Sequence, residues 1–485
     1  MNYISCPVNK IALSTGKNKT AILSAYTTIS YLQLDELIQH TSRYLILSGV
    51  RKRAKVGLLL PNGIDFIVCY FALLRIVAVS CLLSLRSPLQ LIEQKLAALN
   101  CSHLISSKNN SSKFQNIKLV KIDSQINQLE FVKNLRLKRF QYGLSKTSNI
   151  MFTSGSSGEP KAVVHSIENH YYSALGSNRH IPLGRDDHWM LSLPIYHVAG
   201  LSIIWRAFMA GASVCVPDEE YDLIENIKKL KPTHISLVMT QLIQCMKNRS
   251  CRKCLAGMKG ILIGGSAVNR KVVEEAVKDK LPIYLSYGLT EMSSQVATSR
   301  KLRASDDFGS IRILPYRRIR IDRKQHVLVS GRTLFKGYYA NGRIKKSLDK
   351  HGWFKTGDLG KFSKGNRLEI LGRQDNMFIS GGENIYPEQI ERLIMQFGDI
   401  EQAAVIPRTD QVYGQRPVAF LKVTSGRKFD RIKLIQYLTL YVEKFKIPDE
   451  FYHWPAIDNQ IVSKINRLEL KSLIESSSPK LSKII

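Results

Sequence analysis

A run of small, flexible and hydroxyl-bearing residues constrains this chain more than any other feature. It reads Thr153-Ser154-Gly155-Ser156-Ser157-Gly158-Glu159-Pro160-Lys161 and follows the apolar triplet Ile150-Met151-Phe152. Glycines let the backbone wrap closely around phosphate oxygens, while serine hydroxyls, backbone N–H groups and a lysine supply donors and charge. The alternative is a linker, but linkers do not usually separate an apolar strand from Lys161-Ala-Val-Val-His165. We therefore predict a phosphate-binding loop, distinct from the Walker type because it has no Gly-Lys-Ser/Thr.

Alternating helical and strand patterns around this loop predict an α/β fold. Val56–Leu60 is a short apolar run closed by a turn, Ile64–Ala78 has the pattern of a helix, and Cys101–Ile105 that of a strand. Strand, turn, helix and strand in succession are typical of a largely parallel sheet flanked by helices. Further buried strands are predicted in the middle of the chain, at Ser213–Val216, His234–Val238 and Gly260–Gly265.

The length of 485 residues predicts more than one domain, because single hydrophobic cores stop growing before this size. After about residue 310 the pattern changes to alternating strands such as Ile319–Ile321 and Val327–Val329, which predict a β-rich subdomain. We place a large N-terminal domain at residues 1–372 and a smaller, mobile α+β C-terminal domain at residues 373–485. Within the latter, Ile432–Lys444 is predicted to be a helix.

The charge balance of the chain attracts anions but selects no partner. Lys+Arg 71 against Asp+Glu 39 gives a net charge of +32. The basic residues are dispersed along the chain, whereas a nucleic-acid footprint would cluster on one face. We therefore expect small anionic molecules rather than nucleic acid. A basic nucleic-acid-binding protein whose enzyme site has lapsed remains the rival from a different class.

Cysteine usage and hydropathy predict a cytoplasmic protein without a transmembrane segment. The eight cysteines have no disulfide-framework spacing, and the Cys251-x-x-Cys254 pair lacks the second pair that a zinc site needs. Free cysteines are typical of a reducing compartment, and the N-terminus lacks the pattern of a signal peptide. The most apolar stretch, Ile64–Leu85, contains Asp65 and Arg75 and predicts a buried helix and strand. The oligomeric state stays open, a homo-oligomer included.

Five further motifs follow the loop in a fixed order. They are Gly264-Gly265-Ser266-Ala267, Tyr287-Gly288-Leu289-Thr290-Glu291, Thr356-Gly357-Asp358, Gly372-Arg373-Gln374-Asp375 and Ser463-Lys464-Ile465-Asn466-Arg467. With them the chain, from about residue 20 to about residue 475, resembles the adenylate-forming superfamily of acyl-CoA synthetases, adenylation domains and luciferases. It departs from the family pattern at Ser157, where threonine is commoner, and at Ser463, where glycine is usual.

This resemblance implies an adenylation site that uses ATP and Mg²⁺. The residues of the loop, Thr153 to Gly158 with Lys161, would bind phosphates, and Gly264, Gly265 and Ser266 would contact adenine beside Tyr287 and Gly288. The remaining implied roles are phosphate contact for Thr290, Mg²⁺ binding for Glu291, ribose binding for Asp358, ribose or phosphate contact for Arg373, a hinge at Asp375 and charge neutralisation by Lys464. Locally, Glu291 also fits a solvated glutamate and Asp358 an ordinary Asp turn.

The second step and the acid are implied by two other segments. Gly381-Gly382 follows the predicted hinge, and in CoA-forming relatives this turn lines the pantetheine tunnel, although any tight turn also uses such glycines. The block from Trp189 to Gly200 with Trp205-Arg206 resembles the o-succinylbenzoate–CoA ligases of menaquinone biosynthesis. By that resemblance His197 and Gly288 would line the acyl pocket.

Arg206 is the candidate partner for the second, aryl carboxylate of such an acid, because a dianionic acid needs a cation that a fatty acid does not. A helix-surface charge is the alternative for this residue. The sequence thus predicts an ATP-dependent acid–CoA ligase, with 2-succinylbenzoate as the expected acid and coenzyme A as cosubstrate. A ligase for another aryl or acyl acid and a free-standing enzyme that loads a carrier protein remain open.

Overall fold

The computed structural model describes residues 2–106, 117–122, 139–153, 160–265, 268–304, 311–363, 365, 367–380, 383–424, 429–455, 467–476 and 481–484. Within these ranges the α-helices are Pro7–Ala12, Tyr31–Leu47, Ile64–Arg75, Leu89–Ala98, Ile167–His180, Val198–Ala210, Leu223–Leu230, Met239–Lys247, Arg249–Ala256, Arg270–Lys278, Pro387–Phe397, Arg431–Thr439 and Arg467–Glu475. No helix of the described ranges is long and apolar enough to cross a bilayer.

Two large mixed sheets form the bulk of the molecule. In the described residues, the nine-stranded sheet has the spatial order Arg312–Ile313, Ser294–Thr298, Ile283–Leu289, Gly260–Ile263, His234–Leu237, His188–Met190, Ser213–Cys215, Thr20–Leu23, Thr28–Ser30. The eight-stranded sheet has the order Arg343–Lys345, Gly337–Ala340, Lys161–Ser166, Thr147–Thr153, Val79–Leu82, Lys55–Leu59, His103–Ser106, Lys118–Lys121. The central strands of both sheets run parallel, antiparallel strands lie at both edges of the nine-stranded sheet and at one edge of the eight-stranded sheet, and Lys118–Lys121 pairs in parallel at the other edge.

Smaller antiparallel and mixed sheets occupy the second half of the chain. As described, one four-stranded sheet contains Arg317–Ile321, His326–Gly331, Phe354–Ser363 and Arg367–Arg373, and another contains Ile400–Asp410, Gly414–Val423, Glu450–His453 and Lys483–Ile484. The two-stranded pairs are Tyr3–Ser5 with Gln141–Gly143, and Phe378–Ser380 with Glu383–Ile385. This arrangement is the predicted one: a large α/β part, a β-rich part after residue 310 and a smaller α+β part.

Local sequence explains how one strand passes directly into a helix beside the predicted loop. Strand Lys161–Ser166 ends at Ser166, whose hydroxyl accepts a hydrogen bond from the backbone N–H of Asn169 at 3.2 Å. The Asn169 side-chain oxygen accepts a hydrogen bond from the N–H of Ser166 at 2.8 Å. The two hydrogen bonds together form a capping box. Helix Ile167–His180 therefore starts at a fixed point and packs against helix Val198–Ala210.

One predicted helix is shorter than expected. The pattern predicts Ile432–Lys444, whereas the helix runs from Arg431 to Thr439 and a separate 3-10 turn follows at Lys444–Lys446. Asp430 caps its start by accepting from the N–H of Lys433 at 3.1 Å. Leu440 and Tyr441 lie exposed, while Val442 is buried in the C-terminal core. The apolar pattern continues past Thr439, but the helix ends there. The chain then turns, and this turn buries Val442.

Candidate active site

A cleft of about 2790 Å³ collects every predicted site residue that the structure describes. The predicted residues among those that line it are Thr153, Lys161, His197, Arg206, Gly264, Gly265, Tyr287, Gly288, Thr290, Glu291, Asp358, Arg373 and Asp375. The other predicted residues lie outside the described ranges: Ser154, Gly155, Ser156, Ser157, Gly158, Ser266, Gly381, Gly382 and Lys464. Residues spread over more than two hundred positions thus meet at one place.

The predicted phosphate loop connects two paired strands at the rim of the cleft. Thr153 ends one strand and Lys161 begins the next, and the two residues face each other in antiparallel register. The Thr153 hydroxyl donates to the carbonyl oxygen of Lys161 at 3.5 Å. Lys161 is exposed, with its ammonium 5.7 Å from the centre of the Tyr338 ring. Its charge is therefore available to an anion in the cleft.

Glycines at two strand ends leave backbone exposed where side chains would not fit. Gly264 follows strand Gly260–Ile263, and a Cβ there would lie 2.6 Å from the Ser286 hydroxyl. Gly265 has φ +83°, which favours glycine, and a Cβ on Gly288 would lie 2.2 Å from the Ser294 carbonyl oxygen. Packing therefore requires glycine at Gly264 and Gly288, the backbone conformation favours it at Gly265, and all three residues line the cleft.

Glu291 lies in a short 3-10 turn, Thr290–Met292, at the floor of the cleft. The Tyr338 hydroxyl donates to its Oε1 at 2.6 Å. Burial, together with the Glu291 charge, raises the pKa of Tyr338, so the phenol stays protonated and keeps donating. A partly exposed carboxylate with one oxygen held in place is suited to a hard cation such as Mg²⁺.

Asp358 is buried and forms a polar cluster with two other predicted residues that are partly exposed. The Tyr287 hydroxyl donates to Asp358 Oδ2 at 2.5 Å, and Arg373 Nη1 donates to Oδ1 at 3.0 Å. Burial raises the pKa of Asp358, although Arg373 and Tyr287 act in the opposite direction. Gly357, at φ +79°, lets the guanidinium lie against the turn, since a Cβ there would be 3.1 Å from Arg373 Nη2. The cluster presents a carboxylate and a cation side by side.

The predicted hinge residue lies immediately beyond this cluster. Asp375 belongs to the 3-10 turn Gln374–Asn376, and its side chain is 44% exposed. Its Oδ2 lies 3.4 Å from Arg373 Nη2. Such an exposed ion pair contributes little stability.

His197 lies at the opposite wall, exposed at the N-cap of helix Val198–Ala210. The preceding loop is fixed by Asn62, whose amide donates to the Leu193 carbonyl at 2.8 Å and accepts from the N–H of Ile195 at 2.9 Å. The Tyr196 ring lies 4.6 Å from the imidazole of His197. Hydrogen bonds with Asn62, which follows another strand, therefore fix the loop that carries His197 at the cleft.

Arg206 is buried, which removes the alternative of a helix-surface charge. The residue is 2% exposed, and its guanidinium lies 4.6 Å from the ring centre of Trp189. Nε donates to the Ser202 carbonyl at 3.1 Å and Nη2 to the Ser202 hydroxyl, whereas Nη1 has no hydrogen-bond partner among the described residues. Burial lowers the pKa of the guanidinium, and no described carboxylate acts against this shift. A buried cation with a free donor at a cleft wall is suited to an anionic group of a ligand.

Sequence reasoning missed three residues that shape the site. Tyr338 donates a hydrogen bond to Glu291, Asn62 forms hydrogen bonds with the loop before His197, and Ser202 accepts hydrogen bonds from the Arg206 guanidinium. Only Asn62 had a visible signal, as part of the turn Pro61-Asn62-Gly63 after an apolar strand. The others lie within ordinary strand and helix patterns.

The family model for the AMP-binding enzyme matches residues 10–339 of this chain, and that for the AMP-binding enzyme C-terminal domain matches residues 389–464. The chain belongs to the AMP-binding enzyme family. The predicted superfamily is thereby confirmed. This AMP-binding enzyme is 29% identical over 461 residues to a 2-succinylbenzoate–CoA ligase of Geobacillus sp. strain WCH70, covering 92% of this chain and 93% of the relative.

Solved structures agree with the predicted fold. A substituted form of Escherichia coli MenE with bound OSB-AMS matches this AMP-binding enzyme with a TM-score of 0.83 and 28% identity, covering 96% of this chain and 98% of the other. ATP-bound MatB from Rhodopseudomonas palustris matches with a TM-score of 0.85 and 19% identity, covering 98% and 100%. The adenylate-forming fold is therefore confirmed.

Proposed function

We propose that this AMP-binding enzyme is an ATP-dependent 2-succinylbenzoate–CoA ligase. In the first half-reaction the succinyl carboxylate attacks the α-phosphorus of ATP, and pyrophosphate leaves. In the second, the CoA thiol attacks the acyl carbon, the bond to AMP breaks, and 2-succinylbenzoyl-CoA and AMP are released. The similarity to curated 2-succinylbenzoate–CoA ligases over more than nine-tenths of both chains supports this proposal.

The observation that carries the proposed acid is the buried Arg206. An uncompensated cation inside a protein is unfavourable, so a chain that keeps one at a cleft wall gains from a ligand that neutralises it. A fatty acid has no second anionic group to do so. An aromatic dicarboxylic acid would place its aryl carboxylate at the free Nη1 donor and leave the succinyl carboxylate for the reaction.

The opposite side of the cleft would bind ATP. Asp358 would accept from the ribose hydroxyls, Arg373 would contact ribose or phosphate, and Lys161 would attract phosphate oxygens; the Arg373–Asp358 bond and the exposure of Lys161 support these roles. Glu291, with its carboxylate oriented by Tyr338, fits the oxygen chemistry of Mg²⁺. When bound, the ion reduces the negative charge that the attacking carboxylate meets. Cations and donors placed in advance around the phosphates lower the barrier.

Residues outside the described ranges complete the proposal. Ser154 to Gly158 would bind phosphates, Ser266 would contact adenine, and Lys464 would neutralise charge on the carboxylate and α-phosphate. Gly381 and Gly382 would line the path of the CoA thiol after residues 373–485 rotate about Asp375. We also propose a cytoplasmic location, because all eight cysteines lie in the described ranges and all are free.

Arg206→Met tests the assignment of the acid. In ATP–pyrophosphate exchange we expect kcat/KM for 2-succinylbenzoate to fall roughly 30- to 1000-fold. This corresponds to a loss of about 2–4 kcal/mol of binding free energy at the aryl carboxylate. With 4-oxo-4-phenylbutanoate, which lacks the aryl carboxylate, the same substitution should change kcat/KM by less than about threefold. The thermal midpoint of the unliganded variant should not fall, because an unpaired buried charge is removed. Equal losses with both acids would show that Arg206 does not bind the second carboxylate.

A further inference from the structure

A chain of buried hydrogen bonds lies directly behind the Thr290–Met292 turn. His165 Nε2 lies 2.7 Å from the carbonyl oxygen of Thr290, and its Nδ1 lies 3.3 Å from the amide nitrogen of Asn149. The Asn149 oxygen lies 2.6 Å from His170 Nε2. His165, Asn149 and His170 are each at most 1% exposed. None of them lines the cleft.

The Thr290 carbonyl fixes the direction of every proton in this chain. Burial lowers the pKa of His165 to about 4 and that of His170 well below its usual value, so both rings are neutral at neutral pH. A carbonyl only accepts, so His165 carries its proton on Nε2 and donates it. Its Nδ1 must then accept from the Asn149 amide, and the Asn149 oxygen accepts from Nε2–H of His170.

The turn that receives this hydrogen bond has a conformation that needs support. The two residues that follow Met292 have left-handed backbones, Ser293 at φ +53° and Ser294 at φ +99°. Residues other than glycine keep such angles only where the surrounding structure holds them. The N–H of Ser293 donates to the Thr290 carbonyl at 3.0 Å, and the Ser173 hydroxyl donates to the Ser293 carbonyl at 2.5 Å. The N–H of Phe335 donates to the Glu291 carbonyl at 2.8 Å, and His165 supplies a fourth restraint at the Thr290 carbonyl.

We propose that His165 is a positioning residue for adenylation, whose Nε2–H holds the Thr290 carbonyl and thereby sets the Thr290 hydroxyl and the Glu291 carboxylate toward the nucleotide. The inference rests on the proposed function for the roles of Thr290 and Glu291. Tyr338 orients the Glu291 side chain, whereas His165 fixes the backbone that carries it. At its far end the chain reaches His170, whose ring stacks on Trp205 at 5.7 Å, beside Arg206.

Three variants separate positioning from general packing. His165→Leu removes the donor, and His165→Gln retains an amide donor of similar reach. His180→Leu is the matched control: His180 Nε2 lies 2.7 Å from a carbonyl oxygen in the same way, but that of Ser299, away from the turn. We expect His165→Leu to raise the KM for MgATP roughly tenfold, the value of one buried hydrogen bond, and to leave the KM for the acid within about twofold. His165→Gln should recover most of the loss, and His180→Leu should leave the KM for MgATP unchanged.

Equal changes in the two KM values, or a glutamine variant as impaired as the leucine variant, would overturn the proposal. A measurement that does not depend on the acid is ¹⁵N NMR of the imidazole rings in the wild-type protein. We expect His165 and His170 to show the Nε2–H tautomer at neutral pH. A proton on Nδ1 of His165 would overturn the proposal, even if the leucine variant fails to fold. If 2-succinylbenzoate is the wrong acid, the tautomers and the dissociation constant for MgATP still report on His165.

Discussion

At the scale of single residues, Asp358 shows most clearly how burial and hydrogen-bonding partners fix the orientation of a side chain. It is 6% exposed, yet it keeps a hydrogen bond from Tyr287 and an ion pair with Arg373. Burial raises its pKa, whereas both partners favour the charged form. A buried, oriented carboxylate is a strong acceptor for ribose hydroxyls because a charged acceptor roughly doubles the strength of a hydrogen bond.

Asp358→Asn should therefore reduce the preference of the enzyme for an intact ribose. We expect the KM for ATP to rise roughly tenfold or more, since a hydrogen bond to a charged group contributes about 1.5–3 kcal/mol. The KM for 2′-deoxy-ATP or 3′-deoxy-ATP, whichever lacks the bonded hydroxyl, should rise much less. Steady-state kinetics with the three nucleotides measures this difference. A similar rise for all three would mean that Asp358 acts only through folding.

The sequence indicates which residues lie together where a motif is compact, and gives no such indication where the partners are distant. Asp358 and Arg373 belong to two short motifs, and the antiparallel register of their strands places them directly opposite each other. The bond from Tyr338 to Glu291 joins residues 47 positions apart, and nothing in either local pattern indicates it. The sequence indicates Arg206 as a candidate, but its burial depends on how helix Val198–Ala210 packs, which no local pattern gives.

At the scale of elements, one carboxylate in the sheet of the C-terminal part forms ion pairs with residues of two other strands. Glu450, at the start of strand Glu450–His453, pairs with Arg408 of strand Ile400–Asp410 and with Lys483 of strand Lys483–Ile484. Burial raises the pKa of Glu450, but hydrogen bonds from Lys483, Tyr452 and Arg408 outweigh it and hold the pKa at about 2. One side chain thus connects three strands of this sheet.

This arrangement predicts an acid-dependent loss of stability. Because the folded-state pKa lies below the unfolded value of about 4.3, the contribution is complete above that value and is lost as the pH falls toward about 2. Glu450→Gln should lower the free energy of unfolding by about 1–2 kcal/mol at pH 7, after allowance for solvent screening. Urea titrations at pH 7 and pH 3 measure it. A destabilisation as large at pH 3 as at pH 7 would contradict the account.

Most elements could be predicted because short apolar runs and helical periodicities are local. The runs at Val56–Leu60 and Gly260–Gly265 are strands Lys55–Leu59 and Gly260–Ile263, and the pattern after residue 310 is a β-rich part. The end of helix Arg431–Thr439 could not be predicted, because Val442 continues the apolar pattern while the chain turns. Which strands are neighbours was also beyond the sequence, since Ser213–Cys215 pairs with Thr20–Leu23, nearly two hundred residues earlier.

At the scale of the whole molecule, the cleft lies where the C-terminal part meets the larger part, and polar contacts join the two: Arg392 Nη2 donates to the Ile370 carbonyl at 3.1 Å. Lys247 pairs with Glu401, but the lysine is 55% exposed, and Asn269 donates to the Ile400 carbonyl at 3.5 Å. Exposed ion pairs contribute little and are readily exchanged. Such an interface suits the proposed rotation of residues 373–485 between the two half-reactions.

The net charge of +32 attracts anions in general, and ATP, CoA and the acid are all negatively charged. The rival of a nucleic-acid-binding protein with a lapsed site is not favoured. Every predicted site residue in the described ranges lines the cleft, and the family match spans most of the chain.

The order of product release tests the central claim most directly, in a quenched-flow experiment with 2-succinylbenzoate and MgATP. The wild-type enzyme should release pyrophosphate without CoA and release AMP and 2-succinylbenzoyl-CoA only after CoA is added. As the control, Lys464→Ala should slow the pyrophosphate step by roughly 100-fold or more and the thiol step, started from acyl-adenylate, far less. Pyrophosphate release with benzoates or fatty acids but not with 2-succinylbenzoate would contradict the account.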